Sequence, residues 1–190
     1  MSRTGVYPGS FNPPTTAHLA VSIAARDQRS LERVVWSVSR SALAKENVVH
    51  PTFGVRMRVL DAVASAIPWL ELRVTDAQLL ADVAEGFDVL IMGADKWSQI
   101  NELRWYESES HRQSMLGRLP DLAIAPRPPF RAPDRHLLQL NLEHASTSSS
   151  KARDGLIDMM LPEARLFATR TGAWIEPDRY GNGKAGAQND

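Results

Sequence analysis

The sequence predicts an α/β fold: a doubly wound, mostly parallel sheet flanked by helices. Three observations carry this. Strand-like and helix-like runs alternate along the 190 residues, and a β-α-β-α order builds a parallel sheet covered by helices. The two clearest strand runs, Arg-Val-Val-Trp-Ser-Val at 33–38 and Phe-Asp-Val-Leu-Ile-Met at 87–92, are short and apolar enough to be buried. A Gly-Ser loop follows the first strand and leads into the first helix, at the carboxyl end of a strand, where such sheets place their ligands.

In order, Arg3–Tyr7 is a short strand ending at the Gly-Ser loop, and Ala17–Gln28 carries Leu19, Ile23 and several alanines on a helical period. Arg33–Val38 is the second strand. Thr52 is placed to cap a helix bearing Val55, Val59, Leu60, Val63 and Ile67 on one side. Leu70–Val74 is strand-like, Ala77–Glu85 helical, and Phe87–Met92 a strand. Glu102–Leu119 is expected to be one helix, followed by a strand at Asp121–Ala125. The segment Pro126–Pro133 holds four of the twelve prolines and must be a loop. His136–Leu142 alternates like a strand, and Ser149–Leu161 follows as a helix. The pattern reads as one domain over residues 1–177, with a Gly- and Asn-rich tail at 178–190 expected to be disordered.

Composition removes several function classes. Lys+Arg and Asp+Glu both total 22, so no net charge recommends a nucleic-acid or membrane partner. The absence of cysteine excludes disulfides, thiolate catalysis and cysteine metal sites. No apolar run approaches the roughly 20 residues of a membrane span, and Met-Ser-Arg-Thr-Gly lacks a signal-peptide core. The expected compartment is the cytoplasm. A homo-oligomer is left open.

The most informative stretch is Tyr7-Pro-Gly-Ser-Phe-Asn-Pro-Pro-Thr-Thr-Ala-His18. Gly9 and Ser10 lack bulky side chains, so backbone N–H groups there are expected to approach a ligand. Pro13 and Pro14 stiffen the turn and deliver Thr15 and His18 on one face of the helix start. A helix N-terminus favours phosphate, and a histidine one turn in can donate to it as charge builds. Ser148-Ser-Ser-Lys-Ala-Arg153 repeats the theme late in the chain. Its hydroxyls can cap a helix or bond phosphate oxygens, and Arg153 offers a planar fork suited to phosphate.

The two motifs together resemble the nucleotidylyltransferase superfamily. Its signatures are a Gly-x-Phe-(Asp/Asn)-Pro-x-(His/Thr)-x-x-His loop and a late Ser-(Ser/Thr)-x-x-(Arg/Lys) helix start. Here they are Gly9 to His18 and Ser149 to Arg153. Ala17 stands where glycine is more usual and narrows the room for ATP. The resemblance implies a Rossmann-like fold and transfer of AMP from ATP to a phosphate acceptor, with pyrophosphate leaving. It gives His18, Thr15 and Arg153 catalytic roles, and assigns ATP binding to Gly9, Ser10, Phe11, His18, Ser149, Ser150 and Arg153. Mg²⁺ is implied, held mainly by the ATP phosphates. The sequence itself offers no cluster with metal-ligand spacing, and His50, His111, His136 and His144 receive no role.

Residues 89–106 narrow the resemblance. A strand ending in Gly93-Ala94-Asp95, with Trp105 about ten positions on, is similar to the nicotinate/nicotinamide mononucleotide adenylyltransferases. In that branch Gly93 and Asp95 would line the nucleotide cleft. Trp105, beside Tyr106, would stack on the pyridine ring, with Trp97 as a second candidate. Arg56 and Lys45 match positions that bind the acceptor. Two elements depart from that branch: the loop Ser41–Asn47 lacks the usual Pro-Pro-His-Lys, and Val74–Gln78 lacks the usual Ser-Tyr-Thr. NAD biosynthesis is the implied pathway. Another acceptor such as phosphopantetheine, use of CTP, or a nucleotide sensor with a decayed acceptor site are the alternatives.

Overall fold

The structure, a computed structural model, describes residues 2–40 and 51–186. Five strands form one sheet: β1 (Thr4–Pro8), β2 (Arg33–Ser39), β3 (Leu70–Thr75), β4 (Val89–Gly93) and β5 (Asp121–Ala125). They run in the order β3-β2-β1-β4-β5, every neighbouring pair parallel. The register sets Val6 opposite Val35 on one side and Leu90 on the other. The strand order reverses between β1 and β4, which places the crevice of a doubly wound sheet at the carboxyl ends of those two strands.

Alternation along the strands supplies both faces. Val34, Trp36, Val38, Val89 and Ile91 meet α1 (Thr16–Gln28) and α2 (Phe53–Ser65) through Val21, Ala25, Leu60 and Val63. Val6, Leu90, Met92, Leu122 and Ile124 face the other way, toward α3 (Leu80–Val83) and α4 (Ala94–Ile100). Each fully buried Val, Leu or Ile contributes roughly 1.5–3 kcal/mol relative to exposure. Helices α5 (Glu109–Gly117), α6 (Ser149–Arg153), α7 (Pro162–Thr171) and α8 (Pro177–Gly186) complete the chain.

A third apolar cluster joins Val59 of α2 to Ala152, Met160, Ala164, Ala168, Trp174 and Tyr180. Helix α7 starts with proline in its first turn and stops at Gly172, whose φ of 78° is the left-handed conformation that favours glycine.

Several boundaries differ from expectation for identifiable reasons. Thr52 occupies the N-cap of α2, but its side chain accepts no capping bond. The 77–85 helix shrinks to Leu80–Val83. Glu102–Leu119 is not one helix: Leu103–Trp105 is a 3-10 turn, and Ser108 restarts the chain as N-cap of α5 by accepting from His111 N–H at 3.1 Å. The sequence reading also lacks α4 and α7. His136–Leu142 forms no sixth strand among the described residues. Leu137 makes an isolated bridge to Ile124, and the Asn141 side chain then starts a 3-10 turn. The expected Ser149–Leu161 helix ends at Arg153, because the chain turns through Gly155 at φ 102°. Residues 178–186, expected to be disordered, lie in α8, where Tyr180 is buried in a segment whose glycines read as a linker.

Candidate active site

The loop after β1 is built on an aromatic stack. Phe11, 1% exposed, lies flat on the fully buried Trp36, with ring centroids 4.4 Å apart and planes 10° apart. Its edge meets Tyr7 at 5.5 Å and His18 at 5.0 Å. The Trp36 indole N–H donates to Ser22 Oγ at 2.9 Å, and that hydroxyl donates to the His18 carbonyl at 2.9 Å. The histidine is thus seated on a floor fixed by β2 and α1.

This geometry changes the meaning of Gly9. Its N–H donates to the Ser37 carbonyl at 3.0 Å and so extends the β1–β2 ladder instead of facing a ligand. A Cβ at Gly9 would lie 2.9 Å from the Phe11 ring. Glycine is required there to clear that ring. Phe11 itself is buried, so its side chain shapes the loop from below rather than touching a nucleotide.

Thr15 and His18 come together, but in distinct roles. Thr15 is fully buried and N-caps α1; its backbone N–H donates to His18 Nδ1 at 2.9 Å, and its hydroxyl lies 2.8 Å from the same nitrogen. A backbone N–H can only donate, so Nδ1 accepts and the proton of the neutral imidazole is on Nε2. Thr15 thus orients the ring through Nδ1.

Helix α6 closes on this loop. Ser149 Oγ donates to the Pro13 carbonyl at 2.8 Å, and an Arg153 N–H donates to the Asn12 carbonyl. Arg153 donates also to Ser150 Oγ at 3.2 Å. Ser148 is the N-cap, accepting from Lys151 N–H. The two sequence motifs, over 130 residues apart, are therefore one structural unit. Beside it, a hollow of about 430 Å³ lies between Thr16 at the start of α1 and residues 143–159, with Leu156, Ile157 and Met159 in its wall.

On the other side of Gly9 and Ser10 lies a cavity of about 530 Å³ at the carboxyl ends of β1, β2, β3 and β4, a size usual for small-molecule sites. Arg56, Trp105 and Tyr106 line it, as expected for an acceptor site. The Arg56 guanidinium lies over the Phe53 ring, 5.4 Å from its centroid; its Nε is buried without a hydrogen-bond partner among the described residues, and desolvation lowers its pKa. Trp105 sits in the 3-10 turn with its indole N–H buried and unpartnered among the described residues, and with Arg104 over the ring at 4.9 Å. Tyr106 is held by its hydroxyl, which donates to the Ile100 carbonyl at 2.9 Å.

Other expected residues fall elsewhere. Gly93 and Asp95 are not in the cavity wall: Gly93 N-caps α4, and Asp95 pairs with Arg127 at 3.3 Å. Trp97 packs against the apolar cluster beneath β4 and is not among the residues lining the cavity. Lys45 lies outside the described residues.

Sequence reasoning missed Arg40, Phe53 and Lys96, all lining the cavity. Arg40 also lies over the Phe53 ring, 5.5 Å from its centroid, and pairs with Asp76 at 3.7 Å on the exposed rim. Desolvation lowers the pKa of Lys96, opposed by Asp95. The detectable signal was position, since Arg40 directly follows the carboxyl end of β2. Tyr7 was also missed. Burial pushes its phenol up to about 12, with Arg127 opposing and Asp95 reinforcing the shift.

Known proteins resemble this chain in sequence and in fold. A sequence profile of the cytidylyltransferase-like family matches residues 6–155. A probable nicotinate-nucleotide adenylyltransferase of Bradyrhizobium sp. (strain ORS 278) is 32% identical over 144 residues, 68% of this chain and 71% of that protein. A protein of the same name from Bacteroides thetaiotaomicron is 26% identical over 161 residues, covering 76% and 75%. Among solved structures, Plasmodium falciparum nicotinic acid mononucleotide adenylyltransferase complexed with APC superposes with a TM-score of 0.64 at 13% identity, over 92% of this chain and 98% of that one. That likeness shows a Rossmann-like α/β fold. The chain belongs to the cytidylyltransferase-like family of the nucleotidylyltransferase superfamily, and resembles its nicotinate-nucleotide adenylyltransferases.

Proposed function

We propose that the chain is an adenylyltransferase of NAD biosynthesis, moving AMP from ATP to nicotinate mononucleotide and releasing pyrophosphate. The single observation that carries the acceptor assignment is the cavity: Arg40, Arg56 and Lys96 line it, and among the described residues no carboxylate side chain does. Such a wall suits an acceptor that is anionic at its phosphate and its ring. The aromatic members Phe53, Trp105 and Tyr106 suit a flat ring. The relatives' names point the same way.

The chemistry needs no general base, because the acceptor phosphate is already ionised at neutral pH. Its oxygen attacks the α-phosphorus of ATP, and the bond from that phosphorus to the pyrophosphate oxygen breaks. Catalysis then rests on alignment and on stabilising redistributed charge. His18 Nε2–H donates to the α-phosphate oxygens. Arg153, anchored to the loop at Asn12, and the hydroxyl of Ser150 hold the β- and γ-phosphates, while Ser149, whose proton goes to the Pro13 carbonyl, ties α6 to the loop. The hollow beside Thr16 takes the adenosine end. The divalent ion enters as part of the substrate, as Mg-ATP, and screens the phosphate charge.

Pyrophosphate release tests the reading when Mg-ATP or Mg-CTP is supplied with nicotinate mononucleotide, nicotinamide mononucleotide or phosphopantetheine. The expected order puts ATP with nicotinate mononucleotide first. Faster release with CTP, or with phosphopantetheine, would overturn it.

A further inference from the structure

We infer that Trp174 is a positioning residue for the phosphate loop, acting through Asn12, so that the C-terminal helical layer is part of the nucleotide site. The inference rests on reading residues 9–18 as the ATP loop. Trp174 lies beyond the stretch matched by the family profile, which ends at residue 155.

Four consecutive loop residues are held from the late part of the chain. The Trp174 indole N–H donates to Asn12 Oδ1 at 2.5 Å, and Arg153 donates to the Asn12 carbonyl. Ser149 Oγ donates to the Pro13 carbonyl, and Leu161 N–H donates to the Pro14 carbonyl at 3.1 Å. Thr15 bridges to Met160. Thr15 in turn fixes His18 through Nδ1. The chain of contacts from Trp174 to the imidazole therefore runs through adjacent, buried residues.

Trp174 and Asn12 are also unusually constrained. Trp174 is 5% exposed and holds a φ of 68°, a left-handed conformation rare for a bulky residue. Phe11, next to Asn12, holds a φ of 43°. Such conformations persist only where the surroundings over-determine them. Asn12 is 2% exposed, and its Nδ2 has no hydrogen-bond partner. The Trp174 bond is thus the only side-chain anchor of the Asn12 amide among the described residues. Packing alone does not require it, since Phe167 meets the Trp174 ring edge-on at 5.9 Å whatever the indole nitrogen does.

The test is kinetic, with a stability control. Trp174→Phe keeps a ring against Phe167 but removes the donor together with part of the buried ring, so the stability control and the double variant below separate the lost bond from the lost packing. It is expected to lower kcat about tenfold or more, as small misplacements near reacting groups do. The KM for the acceptor should stay within about twofold, because the acceptor cavity shares no residue with 12–15. Asn12→Leu should match Trp174→Phe, while Asn12→Asp, which still offers an acceptor, should keep turnover well above Asn12→Leu. The double variant W174F/N12L removes both polar partners and should regain melting temperature without regaining kcat. Wild-type kcat in Trp174→Phe, or turnover that recovers with melting temperature in the double variant, would overturn the inference. One readout does not depend on turnover. The Trp174 indole proton should be protected from solvent exchange in the wild type and lose protection in Asn12→Leu; unchanged protection overturns the link even if the wild type adenylylates no acceptor.

Discussion

Replacing Gly9 with alanine separates two explanations of the loop glycine. The added Cβ would sit 2.9 Å from Phe11 Cε2 and Cζ, where ordinary contact begins near 3.4 Å, so the ring must move by about 0.5 Å. It has little room: Phe11 is 1% exposed and stacked at 4.4 Å on Trp36, which is fully buried. Overpacking of this kind costs about 1–3 kcal/mol. At about 2–4 °C per kcal/mol for a chain of this size, the melting temperature should fall by roughly 2–12 °C. Scanning calorimetry on the ligand-free protein reads this directly. If Gly9 instead served only to admit a ligand, the variant would melt like the wild type and lose ATP binding. An unchanged melting temperature with a raised KM for ATP would refute the ring-clearance reasoning. Shortening the ring in G9A/F11L should make the two substitutions less than additive.

Three further outcomes follow from the site. His18→Ala should leave the fold intact and cut kcat by at least about a hundredfold, typical for a lost charge-stabilising donor; steady-state pyrophosphate release checks it. Arg56→Ala should raise the acceptor KM about tenfold to a hundredfold, the scale of one charge-assisted bond, with the KM for ATP little changed; initial-rate kinetics varying each substrate separate the two. Tyr7, raised to about 12 in the folded chain against 10 when unfolded, contributes stability that is complete below pH 10 and is lost as pH rises toward 12. Denaturation midpoints across that window should therefore fall in the wild type and fall less in Tyr7→Phe.

The sequence disclosed the sheet well because each strand is a local apolar run whose period announces itself. The same locality made the phosphate loop readable: Pro13, Pro14, Thr15 and His18 act within one turn. Features that depend on contacts between distant segments were hidden. Arg40 and Lys96 look like ordinary surface charges until the sheet brings their elements to one cavity. Trp97 and Trp105 both offered themselves as candidate platforms; Trp97, on α4, packs against the core beneath β4, whereas Trp105, in the separate 3-10 turn, lines the cavity. Gly9 was read as an opening for ligand because its neighbour in space, the Phe11 ring, turns back only through a left-handed residue. Helix α8 was lost for a related reason, since the buried Tyr180 lies in a segment otherwise composed like a linker.

The central claim is that one loop and one late helix form an ATP site that serves an anionic aromatic acceptor. The most direct measurement is product formation from Mg-ATP and nicotinate mononucleotide with the purified chain, followed by pyrophosphate release and by chromatography of the nucleotide products. Stoichiometric pyrophosphate and the nicotinate adenine dinucleotide are expected, abolished or nearly so by His18→Ala. Absence of both products from the wild-type chain would contradict it.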